Sequence, residues 1–234
     1  MNTTNLIIPG ENDYFMTEAI NVLRTNILFS GQDVKSIVLT SCLPNEGKTV
    51  ISLHVGKALA ELGKKVLIID ADMRKSVMVG RNSDAKNVKG LSEVLSNQAP
   101  LQDTIFGTQY KNLFILFAGQ FPPNPVDLLN SSYFSALIDA VKQSFDYIVI
   151  DSPPLDLVID SAVVASKCDC AIMVIGQGRV KKKQAQSVLE QLNKAGCKTY
   201  AVLNDTDGAK KSGYYKKYSY KKYGYRKYGY REYK

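Results

Sequence analysis

Apolar and polar positions along the 234-residue chain alternate between two periods. Short, mainly apolar runs recur at Ile37-Val38-Leu39, at residues 65–70 (KVLIID), at 113–118, at Tyr147–Asp151, at 170–175 and at Lys198–Asn204. Between them lie longer segments whose apolar residues return every third or fourth position: 17–30, 48–62, 127–144 and 181–195. The runs read as strands buried on both faces and the spaced segments as helices. Strands that alternate with helices predict an α/β fold, a mostly parallel central sheet with helices on both faces. Right-handed crossovers then place the loops after each strand along one sheet edge, where ligands bind.

Local signals fix the ends of these elements. Residues 1–16 read as an extended arm, and Thr17 as the N-cap of the helix over 17–30. Gly63 and Gly196 follow helices as C-cap glycines. The polar stretch 71–110 reads as mostly irregular, with short helical pieces at Leu91–Leu95 and 101–106. Pro122, Pro123 and Pro125 make a rigid turn, and Asp160 is expected to cap a short helix before the strand at 170.

Composition adds a second region. Hydrophobic residues at 45% and charged ones at 22% describe a globular chain, and no apolar run approaches the roughly 20 residues of a membrane span. The first fifteen residues carry neither basic flank nor apolar core, which speaks against a signal peptide and for a cytoplasmic location. Cys42, Cys168, Cys170 and Cys197 match neither a disulfide framework nor a common zinc spacing, so reduced thiols are expected. The formal charge of +8 belongs to one end: residues 210–234 hold ten Lys/Arg against a single acid, Glu232. That tail also holds nine of the fourteen tyrosines, Tyr214, Tyr215, Tyr218, Tyr220, Tyr223, Tyr225, Tyr228, Tyr230 and Tyr233, in a five-residue repeat. Without aliphatic residues it cannot bury a core, and residues 209–234 are expected to be disordered beside a single domain over 1–208. Taken alone, the tail suits a phosphate acceptor, a nucleic-acid arm or a membrane-surface tether.

Three motifs carry chemistry. The stretch CLPNEGKT joins the first buried strand to a helix, so the backbone of Pro44, Asn45, Glu46, Gly47, Lys48, Thr49 and Val50 is placed to surround phosphate oxygens. Lys48 would reach the terminal phosphates and the Thr49 hydroxyl would ligate Mg²⁺. The second motif, LIIDADMR, ends a strand in Asp70 and Asp72; the third, IVIDSPP, ends one in Asp151. A hydroxyl with carboxylates from two further strand ends is the protein share of a Mg²⁺ shell. His54, the single histidine, lies mid-helix and reads as a packing residue.

These motifs in this order resemble the deviant-Walker P-loop family, and within it the bacterial tyrosine kinases of capsule and exopolysaccharide synthesis. The resemblance is to the Gram-positive form, whose kinase is a separate chain. It also rests on PPNPVDLLNSSYF and on the tyrosine-rich tail. It implies an ATP- and Mg²⁺-dependent kinase that phosphorylates the nine tail tyrosines, Tyr214 to Tyr233. Lys48 would polarise the phosphates, Thr49, Asp72 and Asp151 would hold Mg²⁺, and Asp70 would orient or deprotonate the incoming phenol. It also implies recruitment to the inner face of the membrane by a transmembrane chain-length regulator that activates the kinase, a homo-oligomeric ring of about eight copies, a dedicated tyrosine phosphatase and no nucleic-acid partner. The family's ring motif reads Glu18-x-x-Asn21-x-x-Arg24, with Asn21 in place of an arginine, which leaves Glu18 and Arg24 as interface candidates. Cys42 and Asn45 stand where small residues or glycine are usual, and Asn tolerates a left-handed backbone. Leu43 stands where partition-type ATPases carry a lysine, which favours the kinase over that alternative. Asn204, at the end of the last strand, is a candidate contact to the base.

Overall fold

The computed structural model describes residues 2–31 and 33–206. Eight strands form one sheet in the order β1-β4-β5-β3-β6-β2-β7-β8: β1 Thr3–Thr4, β2 Ser36–Ser41, β3 Val66–Asp70, β4 Ile105–Thr108, β5 Leu113–Leu116, β6 Tyr147–Asp151, β7 Cys170–Gly176 and β8 Lys198–Asn204. Every pairing is parallel except β4 with β5. The helices are α1 Tyr14–Phe29, α2 Lys48–Glu61, α3 Met78–Arg81, α4 Leu91–Leu95, α5 Leu101–Thr104, α6 Pro125–Asn130, α7 Ser132–Ser144, α8 Asp160–Ala165 and α9 Lys182–Lys194.

Alternate residues of the central strands feed two separate cores, as the two-residue period requires. Ile37 and Leu39 of β2, with Val66 and Ile68 of β3, pack under α1 and α2. Val38, Leu67 and Ile69 face the other way, against α4 and α6 to α9. Both faces are dry, so these strands carry no polar alternation.

Several boundaries differ from those read in the sequence. The expected arm over 1–16 is partly structured: β1 pairs with β4, Leu6 and Ile8 are buried, and Asp84 accepts hydrogen bonds from Thr4 Oγ1 (2.7 Å), Asn5 N (2.8 Å) and Asn5 Nδ2 (2.7 Å). Helix α1 starts earlier than Thr17 because Asp13 is its cap, accepting from Met16 N at 2.9 Å, while Thr17 sits in the first turn. The single helix expected over 127–144 is two, divided at Ser131, whose extended backbone and hydroxyl cap α7. The helical piece expected over 101–106 ends at Thr104, and Ile105 begins an antiparallel strand. Asp160 is the first residue of α8 instead of its cap. His54 is buried, with Nε2 2.8 Å from the Pro9 carbonyl oxygen, and the four cysteines are free thiols.

Candidate functional site

The loop between β2 and α2 is held from the β7–β8 side of the sheet. Asn45 (φ 62°) and Gly47 (φ 90°) are both left-handed, so Asn45 adopts the conformation its residue type tolerates. A Cβ on Gly47 would stand 2.1 Å from Asn204 Nδ2, so the loop needs glycine there on two grounds. Asn204 donates to the Glu46 carbonyl oxygen at 2.9 Å, and Arg179 Nη1 to that of Asn45 at 2.8 Å. The Glu46 side chain is fully buried and accepts from Leu43 N and Gly176 N, each at 2.7 Å. The side chains of Glu46 and Asn204 thus brace the loop, which leaves the Glu46 backbone as the expected phosphate contact and Asn204 as the candidate contact to the base.

On the other side of the loop, three carboxylates meet. Parallel register sets Asp70 opposite Asp151 at the ends of β3 and β6. Thr49 Oγ1 donates to Asp151 Oδ2 at 2.6 Å, and Ser52 Oγ to Asp151 Oδ1 at 3.3 Å. Lys48 Nζ lies 3.6 Å from Asp72 Oδ2. Asp70 is 1% exposed and accepts from Asp72 N at 3.1 Å and from the Ser76 hydroxyl. Burial, then the neighbouring charges of Asp151 and Asp72, push the Asp70 carboxyl up to about 8. Burial also raises Asp151, against the pull of Lys48 and the Thr49 hydroxyl.

The cleft in front of these groups has a volume of about 480 Å³, and Pro44, Asn45, Gly47, Lys48, Thr49, Val50, Asp72 and Asp151 line it. Asp70 lies just beneath that lining. Two groups without a role in the sequence reading belong here. Ser76 positions the Asp70 carboxylate. Arg74 lines the cleft and grips the buried Asp160 with a fork, Nε to Oδ2 at 2.8 Å and Nη2 to Oδ1 at 3.1 Å. The DADMR spelling carried Arg74, but only the fold shows that Asp160 is its partner. The donor set of Thr49, Asp72 and Asp151 is all hard oxygen and fits Mg²⁺. Among the described residues no three of His, Cys, Asp and Glu form a cage complete enough to hold a metal.

The remaining candidates lie elsewhere. Glu18 is exposed on α1, whereas Arg24 is half-buried and donates to the Ala58 carbonyl oxygen of α2 at 3.2 Å. The tail tyrosines, Tyr214 to Tyr233, fall outside the described residues.

Comparison with known proteins adds three likenesses and a family match. A family model described as "AAA domain" matches residues 34–199. The chain is 41% identical over 186 residues to the tyrosine-protein kinase CpsD of Streptococcus agalactiae, covering 80% of this chain and 81% of that protein. The crystal structure of the chimerical protein CapA2B2 superposes with a TM-score of 0.79 at 32% identity, covering 85% and 88% of the two chains. The septum site-determining protein MinD of Pyrococcus horikoshii, complexed with Mg-ADP, is more distant, with a TM-score of 0.61 at 27% identity and coverage of 73% and 70%.

Proposed function

The chain belongs to the bacterial tyrosine-protein kinases, and on that premise we propose that it moves the terminal phosphate of ATP onto tyrosines of its own C-terminal repeat. The carrying observation is the meeting of Lys48, Thr49, Asp72 and Asp151 around one cleft, with Asp70 buried directly behind. Phosphoryl transfer asks for alignment and charge neutralisation more than for covalent chemistry, and this set supplies both.

Each residue takes a separate task. Lys48 binds the terminal phosphates and offsets charge on the departing ADP. Thr49, Asp72 and Asp151 would hold Mg²⁺, which would supply charge neutralisation for the phosphates when bound. The Asp70 carboxylate takes the phenolic proton as the tyrosine oxygen forms its bond to the γ-phosphorus and the bridging bond to ADP breaks. An ordinary phenol has a pKa near about 10, so a carboxyl raised to about 8 is, once it has lost its own proton, a better-matched base than an unperturbed one. Arg74 stays locked to Asp160 and stiffens the wall of the cleft.

By family, the setting is capsule or exopolysaccharide synthesis. There the kinase would work at the inner face of the membrane with a transmembrane chain-length regulator as activator, assemble as a homo-oligomeric ring, and be reset by a tyrosine phosphatase. Among the described residues no helix is long and apolar enough to cross a membrane, which fits recruitment through such a partner.

Incubating the full chain with Mg-ATP and the cytosolic segment of the activator, followed by mass spectrometry, tests the reading. Phosphate is expected on Tyr214 to Tyr233 and is expected to vanish in Lys48→Met. Nucleotide bound with no phosphotyrosine in that range would refute it. Strongly salt-dependent DNA or vesicle affinity, with phosphate released only to water, would point to the partition-type ATPase instead.

A further inference from the structure

The cleft extends beyond the groups that the nucleotide needs. Strand order puts β6 and then β3 on one side of β2 and its phosphate loop, and β7 and β8 on the other. Asn204 and Arg179 brace the loop from the β7–β8 side, while the carboxylates stand on the β6–β3 side. An acceptor that delivers a proton to Asp70 must therefore come in over β6 and β3.

The lining that follows β6 is an apolar wall, Pro153, Pro154, Leu157 and Val158, and Val77 and Pro9 add apolar surface to a cleft whose remaining rim carries Arg74, Lys75 and Arg81. Leu157 is 60% exposed, an apolar side chain that the fold leaves uncovered at the rim. The wall is nonetheless rigid. The Pro153 carbonyl oxygen accepts from Thr40 Oγ1 at 2.8 Å and from the Ser161 hydroxyl, and Leu157 N donates to the Pro154 carbonyl oxygen at 3.3 Å. The Pro9 carbonyl oxygen sits 2.8 Å from His54 Nε2, and Val77 follows Ser76, the residue that holds Asp70.

We infer that this wall is the slot for the ring of the acceptor tyrosine, with Leu157 and Val158 as specificity-determining residues. The inference rests on the kinase reading and names what that site selects. Asp70 and Asp72, 1% and 6% exposed, lie at a closed floor, whereas Leu157 stands at an open rim. A tyrosine can lay its apolar ring against the wall and carry its hydroxyl toward the floor, whereas a serine has no ring to lay there. The tail contains no aliphatic residue, so its tyrosine rings are the apolar groups it can offer such a slot. Aromatic burial is also directional, because a ring with a polar tip suits a pocket dry on its sides and wet at its end.

The test uses two readouts on the full chain and on Leu157→Ser, whose exposure makes misfolding an unimportant outcome. The first is the KM for a synthetic repeat peptide, GYYKKYSYKKYG, against the KM for ATP. The second is the affinity of the same peptide with every Tyr replaced by Phe, measured by fluorescence anisotropy on the complex with a non-hydrolysable ATP analogue. Leu157→Ser is expected to raise the peptide KM and weaken the Phe-peptide about tenfold, equal to about 1.4 kcal/mol, with KM for ATP within about twofold. Leu157→Met is expected to restore both. Unchanged peptide affinity, or a rise confined to KM for ATP, overturns the slot. So does loss of stimulation by the activator's segment with peptide affinity intact, which would assign the wall to that partner. Failure of the kinase reading itself is separable: peptide binding that depends on Leu157 with no phosphate transferred would leave the slot standing and remove the reaction.

Discussion

Asp70 carries a stability cost that its position explains. It is buried, faces Asp151 across the strand pair, and lies two residues from Asp72. A carboxyl raised from 3.8 to about 8 keeps in the folded chain a proton that the unfolded chain has released. The folded state then binds more protons between those values, so unfolding free energy falls as pH climbs from about 4 to about 8. Asp70→Asn removes the repulsion and keeps an acceptor for Asp72 N. Its unliganded melting temperature is expected to rise by roughly 2–4 °C at pH 8, with a flatter pH dependence, for a change on the order of 1 kcal/mol. Phosphoryl transfer should fall at least about 100-fold. Differential scanning fluorimetry from pH 5 to 9 checks the first effect, and a variant less stable than wild type at pH 8 would contradict it. At this scale the sequence exposed the groups that the fold gathers at the cleft, because GKT, DAD and IVID have few other uses at strand ends. It hid the direction in which Glu46 points. That depends on Gly176 N, 130 residues away, which no local pattern specifies.

Helices and strands were most legible where packing and propensity agree. β6 and β8 fall where their apolar runs end, and α4 is bounded as read. The divided helix shows the reverse. Its apolar stripe continues through Leu129, Phe134, Leu137, Ile138 and Val141, all in one core, so periodicity alone joins two helices into one. Only the polar cluster Asn130-Ser131-Ser132 marks the break. Ser131 adopts extended backbone and accepts from Phe134 N at 3.3 Å. Ser131→Ala is expected to lose about 1 kcal/mol, seen in urea as a lower midpoint with an unchanged slope. An unaltered midpoint would mean that the cap contributes nothing. β4 was missed for another reason. Four residues with a glycine are a weak strand signal, and only pairing with β5 and β1 makes them one.

For the whole molecule, fold class was the easiest level to read, since both sheet faces are buried and the strands advertise it. Assembly is harder, because it turns on what α1 leaves uncovered. Phe15 (65% exposed), Val22 (62%) and Phe29 (82%) recur every seven residues on that helix, and Glu18 is exposed between them. Such a stripe fits a neighbouring copy in the proposed ring. Phe15→Ser with Phe29→Ser is expected to shift the chain to monomer in mass photometry while nucleotide affinity stays within about twofold. A ring that persists would move the interface elsewhere. The tail adds a charge term to the same equilibrium. Each phosphotyrosine brings about −1.5 to −2, so about five suffice to cancel its basic excess and all nine reverse it.

The bracing of the phosphate loop has a mechanical meaning. Asn204 and Asp205 are among the last residues before the tyrosine repeat. One grips the Glu46 carbonyl, and the other grips Arg179 at 2.7 Å, which in turn grips that of Asn45. The end of the last strand and the phosphate loop are thus tied at one node, so a load on residues 204–205 would reach the carbonyls that shape the loop.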